Sequence, residues 1–163
     1  MTVNIRATEA GSSAASLDVI ALYRTMMTAR VTNDLLKTRK TQGRFPFYIG
    51  CAGHESMAAV VAALNEDDWL GLYYRDLAAW FQRTGDLYGP LREAYSRTTG
   101  PMSAGRNMPS HYTSKRHRIL PGFSEVAGLC SFAGGFGFSI KRHQGSELIL
   151  CSTGDGGSAT NDF

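Results

Sequence analysis

The chain has 163 residues, of which 43% are hydrophobic and 19% are charged, and its formal net charge is +3. This length suits a single domain that can bury a core, and the composition excludes wholesale disorder. The small excess of Lys and Arg is scattered along the chain, which argues against a nucleic-acid-binding protein.

The N-terminal part is predicted to form one long helix. Residues 1–15 are small and polar and are expected to be a disordered tail. Ser16 is the predicted N-cap, with Asp18 in the first turn, where the helix dipole favours negative charge. The helix is expected to run to about Thr41, and Gly43 ends it. Apolar residues at three- and four-residue spacing give it an apolar stripe: Ile20, Tyr23, Met27, Val31 and Leu35.

Shorter elements follow as far as residue 100. An extended piece at 45–49 leads to a helix over about 54–65. Residues 69–74 are an apolar run whose type the pattern leaves ambiguous. A helix over 76–83 is stopped by a glycine, and a further helix over 90–100 opens on a proline and closes on a glycine.

Residues 101–122 show no periodicity, and a connection of this length inside a domain is usually functional or disordered. Its polar and aromatic side chains favour a folded loop that faces a ligand. They are Arg106, Asn107, His111 and Tyr112.

Ser124 is the predicted N-cap of the next helix, which carries two different faces. The apolar stripe consists of Leu129, Phe132, Phe136 and Ile140, and the small-residue face of Ala127, Ser131, Gly135 and Ser139. Glycine inside a helix costs about 1 kcal/mol relative to alanine. We therefore expect another helix or strand to approach this face closely, the alternative being a poor helix that frays.

The last predicted element is a strand. Residues 148–151 are a continuous apolar run, typical of a parallel strand buried on both faces. Few segments could pair with it, because parallel neighbours need long crossovers. We expect an α/β fold that is mostly helical within this chain, with one buried parallel strand near its C-terminus. Its uncovered faces predict a homo- or hetero-oligomer rather than a folded monomer.

Three cysteines, Cys51, Cys130 and Cys151, lie among apolar residues without the spacing of a zinc site or a disulfide framework. They are expected to be buried free thiols in a reducing compartment. The N-terminus has no apolar targeting segment, and the most hydrophobic stretch, residues 126–140, is shorter than the roughly 18 residues of a membrane span. The sequence thus predicts a cytoplasmic protein without membrane contact.

Gly154-Asp155-Gly156, directly after the predicted strand, is the main chemical feature. A glycine-rich turn there lets backbone approach a phosphate, and Asp155 is a hard oxygen ligand for Mg²⁺. Asp-Gly is also a common turn dipeptide. Arg75 could bind a phosphate or be a surface side chain, and His111 could be a proton donor or a structural histidine.

These motifs together resemble the alpha subunit of the thiamine-diphosphate-dependent 2-oxo acid dehydrogenases, and the branched-chain type most closely. The likeness runs from about residue 20 to the last residue. It rests on residues 74–76, 105–112 and 154–156 in matching order and spacing. Gly53-His54-Glu55 stands in place of that family's Gly-x-Glu.

The resemblance implies thiamine diphosphate and Mg²⁺ as cofactors. It assigns Asp155 as the Mg²⁺ ligand. It assigns His111 as a catalytic residue near the active-site channel. The residues that it places around the cofactor are Tyr74, Arg75, Ser124, Val126, Gly154, Gly156 and Gly157. A beta subunit, a lipoyl acyltransferase and a 2-oxo acid substrate are the implied partners.

The family's metal motif is completed by an Asn one crossover further on, which this chain does not reach. The resemblance therefore implies a partial thiamine-diphosphate-binding domain over 16–163, the N-terminal portion of a truncated alpha-type subunit. We expect the isolated chain to be inactive. Two alternatives stay open: a catalytically silent assembly module, and an unrelated Mg²⁺–phosphate-binding domain.

Overall fold

A computed structural model describes residues 18–163 as a mostly helical structure with a two-stranded parallel sheet. The predicted tail over 1–15 and the predicted cap at Ser16 lie outside the described residues. The elements are α1 (Val19–Thr41), α2 (Met57–Ala62), β1 (Trp69–Gly71), α3 (Leu77–Thr84), α4 (Tyr88–Ala94), α5 (Gly128–Arg142), β2 (Ile149–Cys151) and a final 3-10 helix (Asp155–Ala159).

Helix α1 begins one residue after Asp18, which is its N-cap. The Asp18 carboxylate accepts a hydrogen bond from the Ala21 backbone N–H at 3.0 Å. The placement of Asp18 inside the first turn was therefore wrong, because its short acceptor satisfies a free N–H only from the cap position. The other end is as predicted: the helix ends at Thr41, and Gly43 follows with a φ of +71°.

The predicted apolar stripe of α1 faces away from the core. Ile20 and Val31 are each 62% exposed, whereas Ala29 and Leu36, on another face, are buried. Both faces carry apolar residues, so periodicity alone does not show which one this chain covers. Neither α1 nor any other helix between residues 18 and 163 is long and apolar enough to cross a bilayer.

The core is built around α3, whose residues Leu77 to Phe81 are all buried. Two buried residues of the long loop, Tyr112 and Ile119, complete it. The Trp80 and Tyr112 rings stack with their centroids 5.7 Å apart. The prediction of a folded loop over 101–122 is thus confirmed, because its middle is part of the core.

The ambiguous run at 69–74 contains strand β1, which pairs in parallel with β2 so that Gly71 lies opposite Cys151. The loop covers the other edge of β1, since Leu120 N–H donates to the Leu70 carbonyl at 2.8 Å. The residues of β2 are only half-buried, and Leu148 beside it is 60% exposed. The prediction of a strand buried on both faces was wrong within residues 18–163. The described residues pair with one edge of β2 and leave its side chains only half-buried.

Three predicted boundaries and one predicted contact differ from the structure. Helix α2 is shorter than 54–65, and α4 ends at Ala94 with Pro90 as its third residue. Helix α5 begins at Gly128 with Ala127 at a φ of +60° as its N-cap, so Ser124 caps nothing. On the small-residue face of α5, a Cβ at Gly135 would meet no heavy atom within 4 Å. No helix or strand of the described chain packs against Gly135, whereas Ala127 is buried beside Gly157 and Ser131 Oγ donates to Asp162 Oδ1 at 3.1 Å.

The exposed part of this α5 face, around Gly135, supports a test of the predicted association. Light scattering on the purified chain is expected to show a dimer or larger species, because Phe132 and Phe138 beside this face are 45% and 68% exposed. Gly135→Leu is expected to shift the chain towards monomer, since overpacking a contact typically costs about 1–3 kcal/mol. A compact monomer at high concentration, or an unchanged species in Gly135→Leu, would contradict association through this face.

Candidate functional site

The segments that follow β1 and β2 meet at one edge of the sheet, as parallel pairing requires. Ser152 N–H donates to the Gly71 carbonyl at 3.0 Å, and Tyr73 N–H donates to Ser152 Oγ at 2.9 Å. This pairing brings residues 73–76 beside residues 152–157. The segments that carry two predicted sets of residues, 74–75 and 154–157, therefore lie side by side, and the contact between them is made by Tyr73 and Gly154.

Asp76 holds the two segments in place. Its side chain is completely buried, and its Oδ2 accepts hydrogen bonds from Tyr73 N–H at 3.0 Å and from Ser152 Oγ. Its Oδ1 lies 3.2 Å from His54 Nδ1. One carboxylate thus joins the end of β1, the end of β2 and the segment before α2. Neither Asp76 nor His54 was predicted from the sequence to be a site residue.

Tyr73 packs against the start of the glycine-rich turn, and Tyr74 packs on Tyr73. Tyr73 OH donates to Tyr74 OH at 2.6 Å, with the ring centroids 3.9 Å apart. Burial, and then the neighbouring Tyr74 hydroxyl, raises the pKa of Tyr73 to about 12. A Cβ at Gly154 would lie 2.8 Å from Tyr73 OH, a distance too short for a non-bonded contact. Glycine at 154 therefore lets the turn lie against the tyrosine pair.

The turn itself offers an exposed carboxylate and open backbone. Asp155 and Gly156 are exposed, and a Cβ at Gly156 would meet no heavy atom within 4 Å. Gly157 is buried, and a side chain there would clash with Thr153 Oγ1. That hydroxyl is itself buried without a hydrogen-bond partner among the described residues.

These features suit part of a magnesium–diphosphate site. Mg²⁺ usually keeps several waters and binds through one or two carboxylates together with substrate phosphates. Between residues 18 and 163, no three His, Cys, Asp or Glu side chains lie close enough together to hold a metal ion. The described residues would thus contribute the Asp155 carboxylate, the open backbone at Gly156 and the unpartnered Thr153 hydroxyl.

Arg75 makes two hydrogen bonds that hold a neighbouring loop. Its Nε donates to the Gly50 carbonyl and its Nη2 to the Ala52 carbonyl, each at 2.9 Å. The side chain therefore fixes the segment before α2 against the site. Its predicted contact with a diphosphate stays a prediction.

His111 and Ser124 form a hydrogen-bonded pair beside a cavity of about 270 Å³. His111 is buried, its Nδ1 lies 3.2 Å from the Pro109 carbonyl, and its Nε2 lies 2.6 Å from Ser124 Oγ. A carbonyl only accepts, so the contact with Pro109 assigns a proton to Nδ1; in that tautomer Nε2 accepts from Ser124 Oγ. The cavity is also lined by Phe47, Ile49, Tyr74 and Met108.

Three residues predicted for the site, Tyr74, His111 and Ser124, thus line one cavity. Val126 is not part of its lining and is 48% exposed. The predicted place of Val126 beside a cofactor stays a prediction. Ser124, wrongly expected to cap α5, instead holds the His111 ring.

Glu93 is a further residue of the site that was not predicted from the sequence. It is buried, and its two carboxylate oxygens accept hydrogen bonds from Met102 N–H, Ser103 N–H and Oγ, and Gly105 N–H over 2.7–3.2 Å. These bonds anchor the start of the loop that carries His111. Nothing in the spacing of Glu93 distinguishes it from a solvent-exposed helical glutamate.

The anchoring role of Glu93 predicts an acid-dependent loss of stability. Burial by itself raises the pKa of Glu93, but the hydrogen bonds from Ser103, Met102 and Gly105 outweigh it and hold the pKa below its usual value. A depressed folded-state pKa stabilises the fold above the unfolded-state pKa of about 4.3, and this stabilisation is lost as pH falls through the folded-state pKa.

We expect Glu93→Gln to lower the free energy of unfolding at about pH 7 by about 2 kcal/mol, and by less in acid. Urea unfolding at about pH 7 and at a pH below the usual Glu pKa of about 4.3 measures this difference. The matched control is Glu66→Gln at an exposed position, which is expected to change little. An equal effect of the two substitutions would contradict the anchoring role.

Comparisons with known proteins are consistent with this geometry. The model of a family described as "Dehydrogenase E1 component" matches residues 23–163. The chain is 29% identical over 151 residues to the 2-oxoisovalerate dehydrogenase subunit alpha of Bacillus subtilis (strain 168), covering 90% of this chain and 45% of that protein.

Two further relatives are eukaryotic. The mitochondrial 2-oxoisovalerate dehydrogenase subunit alpha 1 of Arabidopsis thaliana is 29% identical over 145 residues, covering 88% of this chain and 30% of that protein. The mitochondrial subunit alpha of Homo sapiens is 26% identical over 145 residues, covering 88% and 32%. The chain thus spans less than half the length of the curated relatives it matches.

Proposed function

The chain belongs to the dehydrogenase E1 component family, and we propose that it is part of an alpha-type subunit that binds thiamine diphosphate through Mg²⁺. The observation that carries this proposal is the meeting of the ends of β1 and β2 at the exposed Asp155 turn. In parallel α/β sheets, ligands bind beyond the carboxyl ends of the strands. The proposed fold is accordingly part of a thiamine-diphosphate-binding domain.

Each residue of this site has its own proposed role. Asp155 would bind Mg²⁺, and the backbone of Gly154, Gly156 and Gly157 would approach the diphosphate. Tyr74 and Arg75 would lie at the diphosphate end of the cofactor, and Arg75 also holds the loop at Gly50 in place. The cofactor, when bound, supplies the carbanion chemistry of decarboxylation, while the protein binds, orients and excludes water.

His111 would act as a proton donor or acceptor in the cavity that it lines with Tyr74 and Ser124. Its Nδ1 proton is held by the Pro109 carbonyl, so its Nε2 is the atom that can take up a proton beside Ser124. Ser124 and Val126 would lie near the cofactor. His111 in this role exchanges a proton at Nε2 with a substrate that reaches the cavity.

The relatives are named for an acid with a branched apolar side chain, 2-oxoisovalerate. We propose a 2-oxo acid as the substrate, since Phe47, Ile49 and Met108 offer an apolar surface in the cavity. The proposed reaction is oxidative decarboxylation with acyl transfer to a lipoyl carrier. A beta subunit and a lipoyl acyltransferase are the proposed partners, and the proposed location is the cytoplasm.

Calorimetric titration with thiamine diphosphate, with and without Mg²⁺, tests the cofactor proposal. We expect binding heat with Mg²⁺ and its loss when the metal is chelated. Equal binding of a nucleoside diphosphate with Mg²⁺ would instead favour an unrelated Mg²⁺–phosphate-binding domain. No binding by the chain, alone or with a beta subunit, would favour a catalytically silent assembly module.

A further inference from the structure

Two cysteines that the proposed function does not use lie next to each other. Cys130 is in the first turn of α5 and Cys151 is the last residue of β2. Both are free and half-buried, and their sulfur atoms are 3.8 Å apart. The third cysteine, Cys51, is separate and buried, with its Sγ directed at the Ala29 carbonyl.

A glycine in β1 permits this approach. Gly71 lies opposite Cys151 in the sheet, and a Cβ at Gly71 would lie 3.1 Å from Leu129 Cδ2 and 3.6 Å from Cys151 Sγ. Because that side chain is absent, the first turn of α5 can pack against the sheet at Leu129. The next residue, Cys130, is thereby brought over Cys151.

The surroundings favour a bond between the two sulfurs over a metal ion. A structural zinc site needs four ligands. Within residues 18–163, neither cysteine is part of a group of three or more His, Cys, Asp or Glu side chains that could hold a metal. A disulfide has an S–S length of about 2.05 Å, so bonding requires the sulfurs to move about 1.8 Å closer.

We propose that Cys130 and Cys151 are a site of reversible oxidation, at which a hydroperoxide converts the two thiols into an intramolecular disulfide. Such a bond would join the first turn of α5 to the end of β2. Ser152, the next residue, contacts the buried Asp76, and the glycine-rich turn follows. The cross-link would therefore restrain the strand that leads into this turn.

The chemistry takes place in two steps. The Cys130 thiolate attacks one peroxide oxygen, so that an Sγ–O bond forms, the O–O bond breaks, and the departing oxygen leaves as water or an alcohol after taking the thiol's proton. Cys151 Sγ then attacks Cys130 Sγ, which forms the S–S bond and breaks the S–O bond, and hydroxide leaves with the Cys151 proton as water. The peroxide gains the two electrons that the thiols lose.

The order of the two steps follows from the surroundings of Cys151. Burial, and then the neighbouring Cys130, raises the pKa of Cys151 to about 12. In the contact between the two sulfurs Cys151 Sγ is the donor and Cys130 Sγ the acceptor, so Cys130 attacks the peroxide first and Cys151 resolves the intermediate.

Tryptic mapping of the full chain tests the proposal, because each cysteine lies on its own peptide: 45–75, 119–141 and 143–163. After treatment of the reduced chain with hydrogen peroxide, we expect peptides 119–141 and 143–163 to be joined, with a mass about 2 Da below their sum. Cys51 should stay a free thiol, and a dithiol reductant should restore the separate peptides.

Three cysteine variants serve as matched controls, and the test does not depend on any one of them folding. Cys51→Ser is expected to keep the joined peptide, whereas Cys130→Ser and Cys151→Ser should each lose it. The mapping of the unsubstituted chain stands by itself if a variant does not fold. Separate peptides carrying sulfinic or sulfonic acid, or a cross-link only between two copies of the chain, would overturn the proposal.

Discussion

Replacement of Asp155 by alanine is expected to abolish Mg²⁺-dependent binding of thiamine diphosphate while leaving the fold intact. We expect the affinity to fall by at least about 100-fold, equivalent to about 2.7 kcal/mol. Asp155 is the exposed acid of the turn, and Mg²⁺ binds through few carboxylates, so the loss of this one removes much of the protein's hold on the metal. Calorimetry with saturating Mg²⁺ measures the loss.

The same substitution should change stability little, because an exposed turn side chain is usually worth less than about 0.5 kcal/mol. Asp67→Ala is the matched control. Asp67 is also an exposed acid, but it pairs with Arg118 and precedes β1 at the opposite end of the sheet. We expect Asp67→Ala to retain normal cofactor binding. Equal affinity in Asp155→Ala and the unsubstituted chain would show that Asp155 is only a turn residue.

Features that depend on local sequence were predictable, and features that depend on distant segments were not. The ends of α1 and α3 were predictable because Gly43 and Gly85 adopt a positive φ that favours glycine. The covered face of α1 was not predictable, because its exposed stripe and its core face are both apolar. Likewise, β1 has only three residues, and its pairing with β2 depends on a segment far along the chain.

The candidate site likewise contains residues that the sequence could predict and residues that it could not. Gly154, Asp155 and Tyr74 stand in short motifs, so they could be proposed as site residues from the sequence. Two buried acids position the site and could not be predicted: Asp76 joins the end of β1 to Ser152, and Glu93 anchors the start of the loop that carries His111. A buried acid cannot be told from an exposed one by its spacing. Ser124 was assigned to a helix cap because a serine before an apolar run is common there, whereas its hydroxyl binds His111.

Replacement of Asp76 by alanine is expected to have the largest effect on stability. It would leave Tyr73 N–H and Ser152 Oγ without their carboxylate acceptor and His54 Nδ1 without its partner, all around a completely buried position. We expect the free energy of unfolding to fall by about 3 kcal/mol, since a hydrogen bond to a charged group is worth about 1.5–3 kcal/mol. Weaker acceptors remain, because Tyr73 N–H keeps Ser152 Oγ and Ser152 Oγ keeps the Gly71 carbonyl. Asp76→Asn keeps the size and one acceptor oxygen, so it should lose less.

A double-substitution cycle with Ser152→Ala separates this network role from a general packing defect. Ser152 directly follows β2, and its hydroxyl bonds to Asp76. The losses in the free energy of unfolding from the two substitutions should therefore be non-additive by about 1 kcal/mol in urea unfolding. Because the Asp76 carboxylate joins the end of β1 to the segment that leads into the turn, Asp76→Ala should also weaken cofactor binding in protein that is still folded. Additive effects, or a loss below about 0.5 kcal/mol for Asp76→Ala, would mean that strand pairing alone positions the Asp155 turn.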